Sequence, residues 1–353
     1  MSRDHGTDHA SEVELGDPSA NGRPQGGGPQ RGKGRGKGRG EALMVPEAEF
    51  DSYYGRPIIK APVWKVPDVP GYLYLGGMAG VSASLAALGD LTGRPALRRV
   101  GRLASAGGAS LSVVALVHDL GRPMRFLNML RMVKVTSPLS VGTWILSPFG
   151  TLAAAAAASE LTGIAPRLGR AAGLGAGALG PALTTYTAVL FSDTAVPAWH
   201  EAYRELPFVF AGSALASGGG VGLLAGGDTG PARRVAVAGA ALELGATAVL
   251  ERRIGFVGKA YTTGRAGTIL RAARAATVAG GAGAMVSGML RGRRARLLGH
   301  ASGLLLNAAS AALRFGVFEA GMASARDPEY TVRPQRERMA AREAAAVVPT
   351  DLP

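Results

Sequence analysis

The chain has 353 residues, 53 of them glycine and none cysteine, and a formal net charge of +14 at pH 7. Charged residues are 18% and apolar residues 47%, against roughly 25% charged in ordinary soluble domains. The lack of cysteine excludes disulfides, thiolate zinc sites, cysteine-held iron–sulfur clusters and covalent c-type haem from this chain.

Residues 1–52 form a basic tail rich in Gly, Arg and Lys, including an alternating run from Arg31 to Arg39. Such a segment buries too little apolar surface to fold. Gly/Arg tails can bind phosphates, but a solvated tail is the simpler reading and no nucleic-acid partner is expected. No secretory signal opens the chain. An entry segment follows at 53–69, carrying Tyr53-Tyr-Gly-Arg-Pro57 and Lys60-Ala-Pro-Val-Trp-Lys65.

Eight long apolar stretches then occupy 70–322, at 70–91, 103–120, 138–161, 171–191, 207–226, 235–250, 266–290 and 297–322. A bilayer core takes about 20 apolar helical residues, and runs this long and Ala-rich suit helices rather than barrel strands. The fold predicted is an all-α, polytopic membrane bundle of about eight transmembrane helices, contacting lipid. The stretch 235–250 is short and 266–290 carries Arg271 and Arg274. Gly76/Gly80 and Gly173/Gly177 are four apart, a spacing that lets helices approach closely. Pro148 and Pro181 fall inside spans and are expected to kink them. Residues 323–353 read as a charged tail with a short helix over 340–348.

If helices alternate in direction, the N-terminus, the loops after spans 2, 4 and 6, and the C-terminus share one face. Aromatic, acidic, amide and histidine side chains collect there. The opposite loops read as Gly, Pro and Arg, with Arg94, Arg98, Arg99 and Arg102 forming one basic loop. Variety of this kind marks a working face. Lys and Arg are nearly balanced between the two sides, so the positive-inside rule hardly sets orientation. The basic tail favours the motif face as cytoplasmic.

Several residues on this face carry chemistry. His118 and Asp119 end span 2, and an imidazole beside a carboxylate exchanges protons near neutral pH. Alternatively, they are polar groups at a helix end. Tyr186 lies just inside span 4, and His200 and Glu201 follow in the next loop, where an interfacial anchoring role is the alternative. Arg122, Arg125 and Arg131 interleave with Phe126, Leu127, Met129 and Leu130, as in an interfacial helix or a docking surface. Glu243 sits mid-span, where a carboxylate is costly and points to function, such as a proton relay. Arg314 is its possible ion-pair partner, which would make both structural. Bis-histidine haem is not expected, the one available pair being His118 and His200 from separate loops. No metal site and no catalytic residue are assigned.

These loop motifs resemble a known family. Tyr54-Gly-Arg-Pro-Ile-Ile-Lys60 with Trp64-Lys65, His118-Asp-Leu-Gly-Arg-Pro123, Arg125-Phe-Leu-Asn-Met-Leu-Arg131, Thr136-Ser-Pro-Leu-Ser-Val-Gly-Thr-Trp144, and Thr185-Tyr-Thr-Ala-Val-Leu190 running on to Pro197-Ala-Trp-His-Glu201 resemble the NrfD/polysulfide-reductase membrane subunits. The resemblance spans about 53–330 and implies a haem-free, eight-helix anchor in the bacterial plasma membrane that binds menaquinone or ubiquinone at one end of a four-helix bundle. It implies docking to a ferredoxin-like, four-cluster iron–sulfur subunit joined to a molybdopterin-dependent catalytic subunit. By this resemblance His118, Asp119, Tyr186, His200 and Glu201 belong to the quinone end, and Arg122, Arg125 and Arg131 seat the partner. The basic N-terminal tail departs from the family pattern. A purely structural anchor and a transporter are the alternative classes, although the halves show no inverted repeat.

Overall fold

A computed structural model describes residues 58–346 except Pro123, with side-chain burial to 343. The basic tail, the Tyr53–Pro57 motif and residues 347–353 lie outside the described residues. Among the described residues there are no strands and twelve α-helices. Eight are long: α1 (Asp68–Leu91), α2 (Pro95–Asp119), α4 (Pro138–Thr162), α5 (Pro166–Ser192), α7 (Leu206–Leu223), α8 (Gly230–Arg253), α10 (Gly264–Ser287) and α11 (Gly292–Arg326). Three are short, α3 (Met124–Arg131), α6 (Pro197–Glu201) and α9 (Lys259–Thr262), and α12 (Glu329–Ala346) equals α7 in length but is polar.

Six of the long helices, α1, α2, α4, α5, α7 and α11, are long and apolar enough to cross a membrane. The chain is a multi-pass, all-α membrane protein. The other two, α8 and α10, match the two weakest stretches of the sequence and fall short of that apolarity because each carries ionic side chains. Proline at the first or second position opens α2, α4, α5 and α7, where its missing N–H costs no helical hydrogen bond. Pro148 and Pro181 lie inside α4 and α5, which run through them.

The long helices form two rings of four. In the first, α1, α2, α4 and α5 pack each against its two neighbours; in the second, α7, α8, α10 and α11 do the same. The rings join mainly along α1 and α7, with α11 and α5 also touching across the seam. Burial follows this plan. The most apolar stretches of α1 and α7 are 67% and 72% buried, against 39% for α2 and α4, so α1 and α7 form the centre while α2 and α4 leave broad faces for lipid.

Small residues set close helix crossings. A Cβ on Gly80 of α1 would lie 2.6 Å from the Gly180 carbonyl of α5, and one on Gly180 would lie 2.3 Å from the Gly80 carbonyl. Only glycine permits backbones this close. Of the expected small-residue pairs, Gly80 and Gly177 take part in this contact, Gly173 instead receives the Arg102 guanidinium, and Gly76 is loosely packed.

Two boundaries differ from the sequence reading. The α2 helix starts at Pro95, eight residues before the expected 103, so Arg98, Arg99 and Arg102 are helical rather than a basic loop. Arg98 and Arg102 each pair with both Asp90 of α1 and Glu160 of α4, and Arg170 of α5 pairs with Asp90. Acid side chains therefore stand on the face that the sequence assigned to Gly, Pro and Arg. The C-terminal helix starts at Glu329 rather than 340. Arg333 pairs with Glu329 and Glu337 one turn away on either side, which supports a helix through that polar stretch.

Candidate functional site

The entry segment is tied to the end of α2. The Lys65 amide donates to Asp119 Oδ1 at 2.8 Å, and Lys65 Nζ donates to the His118 carbonyl at 3.2 Å. The carboxylate beside the His118 ring is not its chain neighbour. His118 Nδ1 meets Asp68 Oδ2 at 2.7 Å, with the imidazole 73% exposed and Asp68 12% exposed. Asp68 opens α1, fifty residues away, so proximity in sequence gave the wrong partner.

Trp64 of the entry segment stacks on Phe191 and Trp199 at 5.5 and 5.4 Å between ring centroids. Phe191 and Trp199 stack on each other at 4.2 Å. Trp199, fully buried in α6, donates its indole N–H to the Val317 carbonyl of α11 at 2.7 Å. The Tyr261 hydroxyl donates to the Ala198 carbonyl at 2.8 Å. This aromatic stack fixes the α5–α7 connection between the two rings. Burial raises the pKa of the Tyr261 phenol, which keeps it a neutral donor.

Beside the stack is a cavity of about 550 Å³ at the motif face, lined by Thr136, Pro138 and Val141 of the α4 entry, Tyr186 and Val189 of α5, and His200. Its size falls within the range of small-molecule sites, roughly 300–1,000 Å³. Apolar walls with a phenol and an imidazole fit a quinone, which needs hydrophobic contact for its ring and donors for its carbonyls. The Tyr186 ring lies against Gly142: a Cβ there would sit 2.1 Å from Tyr186 Cε2. His200 holds the Ser192 carbonyl 3.0 Å from its Nδ1, which sets the ring's orientation at the cavity edge.

The five residues grouped by sequence thus divide. Tyr186 and His200 line one cavity. His118 and Asp119 lie with the entry segment, outside that lining. Glu201 turns away to accept a hydrogen bond from Arg338 of α12 at 2.9 Å. Tyr72, buried in α1, belongs to the apolar core against which Tyr186 packs. The sequence offered only its position one turn into span 1 as a signal. The expected interfacial helix is present as α3, which has no buried residue. Arg122, Arg125 and Arg131 are all exposed.

Glu243 lies in the second ring, 2% exposed. Its Oε1 accepts a hydrogen bond from Thr277 at 2.8 Å, while Oε2 has no partner. Ser213 and Ser310 are bonded to each other at 2.8 Å, linking α7 to α11. Arg314 is fully buried, donates to the Phe210 carbonyl at 2.9 Å and lies 3.7 Å over the Phe210 ring. No ion pair within 4.0 Å joins Arg314 to Glu243 among the described residues. Among the described residues no three His, Asp or Glu side chains converge as a metal site.

Residues 59–229 match the family described as polysulphide reductase, NrfD. The match takes in the first ring and α7 and stops at the turn into α8. It confirms, over that stretch, the resemblance carried by the loop motifs. No curated protein matches the chain.

Proposed function

We infer, on the premise that residues 59–229 are an NrfD-type segment of the polysulphide reductase family, that the chain is the membrane subunit of a respiratory oxidoreductase in the bacterial plasma membrane. It exchanges electrons between an iron–sulfur partner and the quinone pool. The observation that carries this reading is the cavity shared by Tyr186 and His200 on the same face as the α3 arginines.

A menaquinone or ubiquinone bound there would supply two-electron, two-proton chemistry. The chain's own part is to bind, orient and manage protons. Val141 and Val189 hold the ring in an apolar slot, and the Tyr186 hydroxyl donates a hydrogen bond inside it. His200, at the rim, exchanges a proton with water. The His118–Asp68 pair lies beside the entry segment and moves protons at the surface rather than at the ring. A chain without cysteine holds no iron–sulfur cluster of its own, so the electrons come from a docked four-cluster ferredoxin-like subunit joined to a molybdopterin-dependent subunit. Arg122, Arg125 and Arg131 offer that partner a basic, exposed seat.

The test is to purify the tagged chain in mild detergent and identify co-purifying proteins and quinone by mass spectrometry. The reading expects an iron–sulfur subunit, a molybdopterin subunit and bound quinone, with quinone lost from Tyr186→Phe. Partners without quinone would leave a structural anchor. A lone chain that moves a substrate would make it a transporter.

A further inference from the structure

A second cavity, of about 500 Å³, lies inside the second ring. Leu206, Val209, Leu250, Leu270, Leu313 and Val317 supply its apolar walls, from all four helices. Lys259, Arg271 and Arg274 stand among its lining residues, Arg274 bonded to Glu251. Glu243 also lines it, and α8 rises about 1.5 Å per residue, which sets Glu243 roughly 15 Å below the motif-face end of that helix.

Three observations point to a ligand. First, Glu243 Oε2 is buried without a hydrogen-bond partner while Oε1 is bonded to Thr277; the nearby Ser213 hydroxyl donates to Ser310 instead, and the Arg314 guanidinium donates to the Phe210 carbonyl. An unsatisfied buried polar atom is costly and calls for an explanation. Second, the space falls within the roughly 300–1,000 Å³ of small-molecule sites, and its lining combines apolar walls with a few polar side chains. Third, α8 and α10 touch each other far less than either touches its other neighbour. Glu251, Arg271 and Arg274 are exposed along that seam, so the cavity is approached from the lipid side.

The charges select the kind of ligand. Lysine and arginine near the mouth repel a cation, a mid-depth site reached from lipid disfavours an ion of either sign, and the carboxylic-acid form of Glu243 offers a donor to a neutral acceptor. We propose that this cavity is a second ligand site, taking a neutral, lipid-soluble molecule whose body fills the apolar walls and whose carbonyl accepts a hydrogen bond from the protonated Oε2 of Glu243. The site is separate from the Tyr186 cavity and does not depend on the reading of that one.

The probe is a photoreactive naphthoquinone, a lipid-soluble ring tipped with carbonyls, applied to the full chain in mild detergent and mapped by peptide mass spectrometry. Labelling is expected within 244–274. Glu243→Leu, which removes the donor, should weaken labelling about tenfold, the effect of one lost hydrogen bond to a buried group. Glu243→Gln, which keeps a donor, should retain it. Leu270→Trp, which fills the cavity, should abolish it at unchanged melting temperature. In infrared difference spectra the protonated carboxyl band of Glu243 should shift on ligand addition and be absent from Glu243→Gln. No label within 244–274, or equal labelling of the wild type and Glu243→Leu, would overturn the proposal. Labelling within 135–203 reports on the Tyr186 cavity alone, so the two readings fail separately.

Discussion

Replacing Gly142 with alanine tests the Tyr186 cavity at one atom. The added Cβ would sit 2.1 Å from Tyr186 Cε2 and 2.5 Å from Cδ2. Carbon contacts rest at about 3.5–4.0 Å, so the ring must retreat by roughly 1.5 Å. Overpacking of this kind costs about 1–3 kcal/mol. Displacing a reacting group by about 1 Å costs on the order of 10²-fold in rate. Gly142→Ala should therefore lower quinone-linked turnover of the assembled complex by about 10–100-fold, with a modest fall in melting temperature. Tyr186→Phe keeps the ring and removes only the hydroxyl. It should lower turnover with little loss of stability, and combining it with Gly142→Ala should be less than additive. Turnover is read with a soluble quinone analogue, and stability by thermal unfolding in detergent. A Gly142→Ala complex that melts lower yet turns over normally would show that Tyr186 packs but does not act. Normal melting and normal turnover together would refute the placement of the ring.

Other positions give sharp expectations. Gly321→Ala would put a Cβ 1.9 Å from Trp199 Cε2; it should destabilise by about 1–3 kcal/mol and shift tryptophan emission to the red as the buried indole is expelled. Arg102, with its side chain 7% exposed, serves both Asp90 and Glu160. Arg102→Ala should cost about 3–5 kcal/mol in thermal unfolding, as loss of one partner of a buried pair does, while the more exposed Arg98→Ala should cost far less. The Gly230 amide and the Arg94 guanidinium hold the Asp228 carboxyl below its ordinary value of 3.8. A depressed value adds stability above the unfolded pKa and loses it as pH falls through the folded one. Asp228→Asn should thus melt below wild type at about pH 7, with the gap closing below about pH 4.

Much of the fold was legible because each long helix announces itself locally. Hydropathy placed all eight, and it also marked α8 and α10 as the weak pair, since Glu243, Glu251, Arg271 and Arg274 lower the average of their own windows. It misplaced the start of α2 for the same reason. Arg98 and Arg102 look like loop residues until Asp90 and Glu160, on two other helices, are brought beside them. Tyr186 and His200 were legible as polar groups near a span end. The partner of His118 was not, because Asp68 comes from the start of another helix. Glu201 followed its neighbours in the sequence reading, whereas an arginine 137 residues later claims it. The gap beside Glu243 had no sequence signal, for a cavity is made by what four helices fail to fill.

The two rings carry a consequence for how such a protein reaches its topology. Each ring has four helices, an even number, so a second ring appended to the first begins on the same face as its predecessor. Inverted duplication requires a half with an odd number of spans and an ancestor able to insert either way up. An even-numbered half avoids that difficulty, because the insertion of the first ring dictates that of the second. Balanced loop charges become tolerable under this arrangement, since the orientation signal needs to be read only once. Within that fixed frame the first ring concentrates its ion pairs at the end opposite the motifs, and the second keeps a carboxyl at mid-depth.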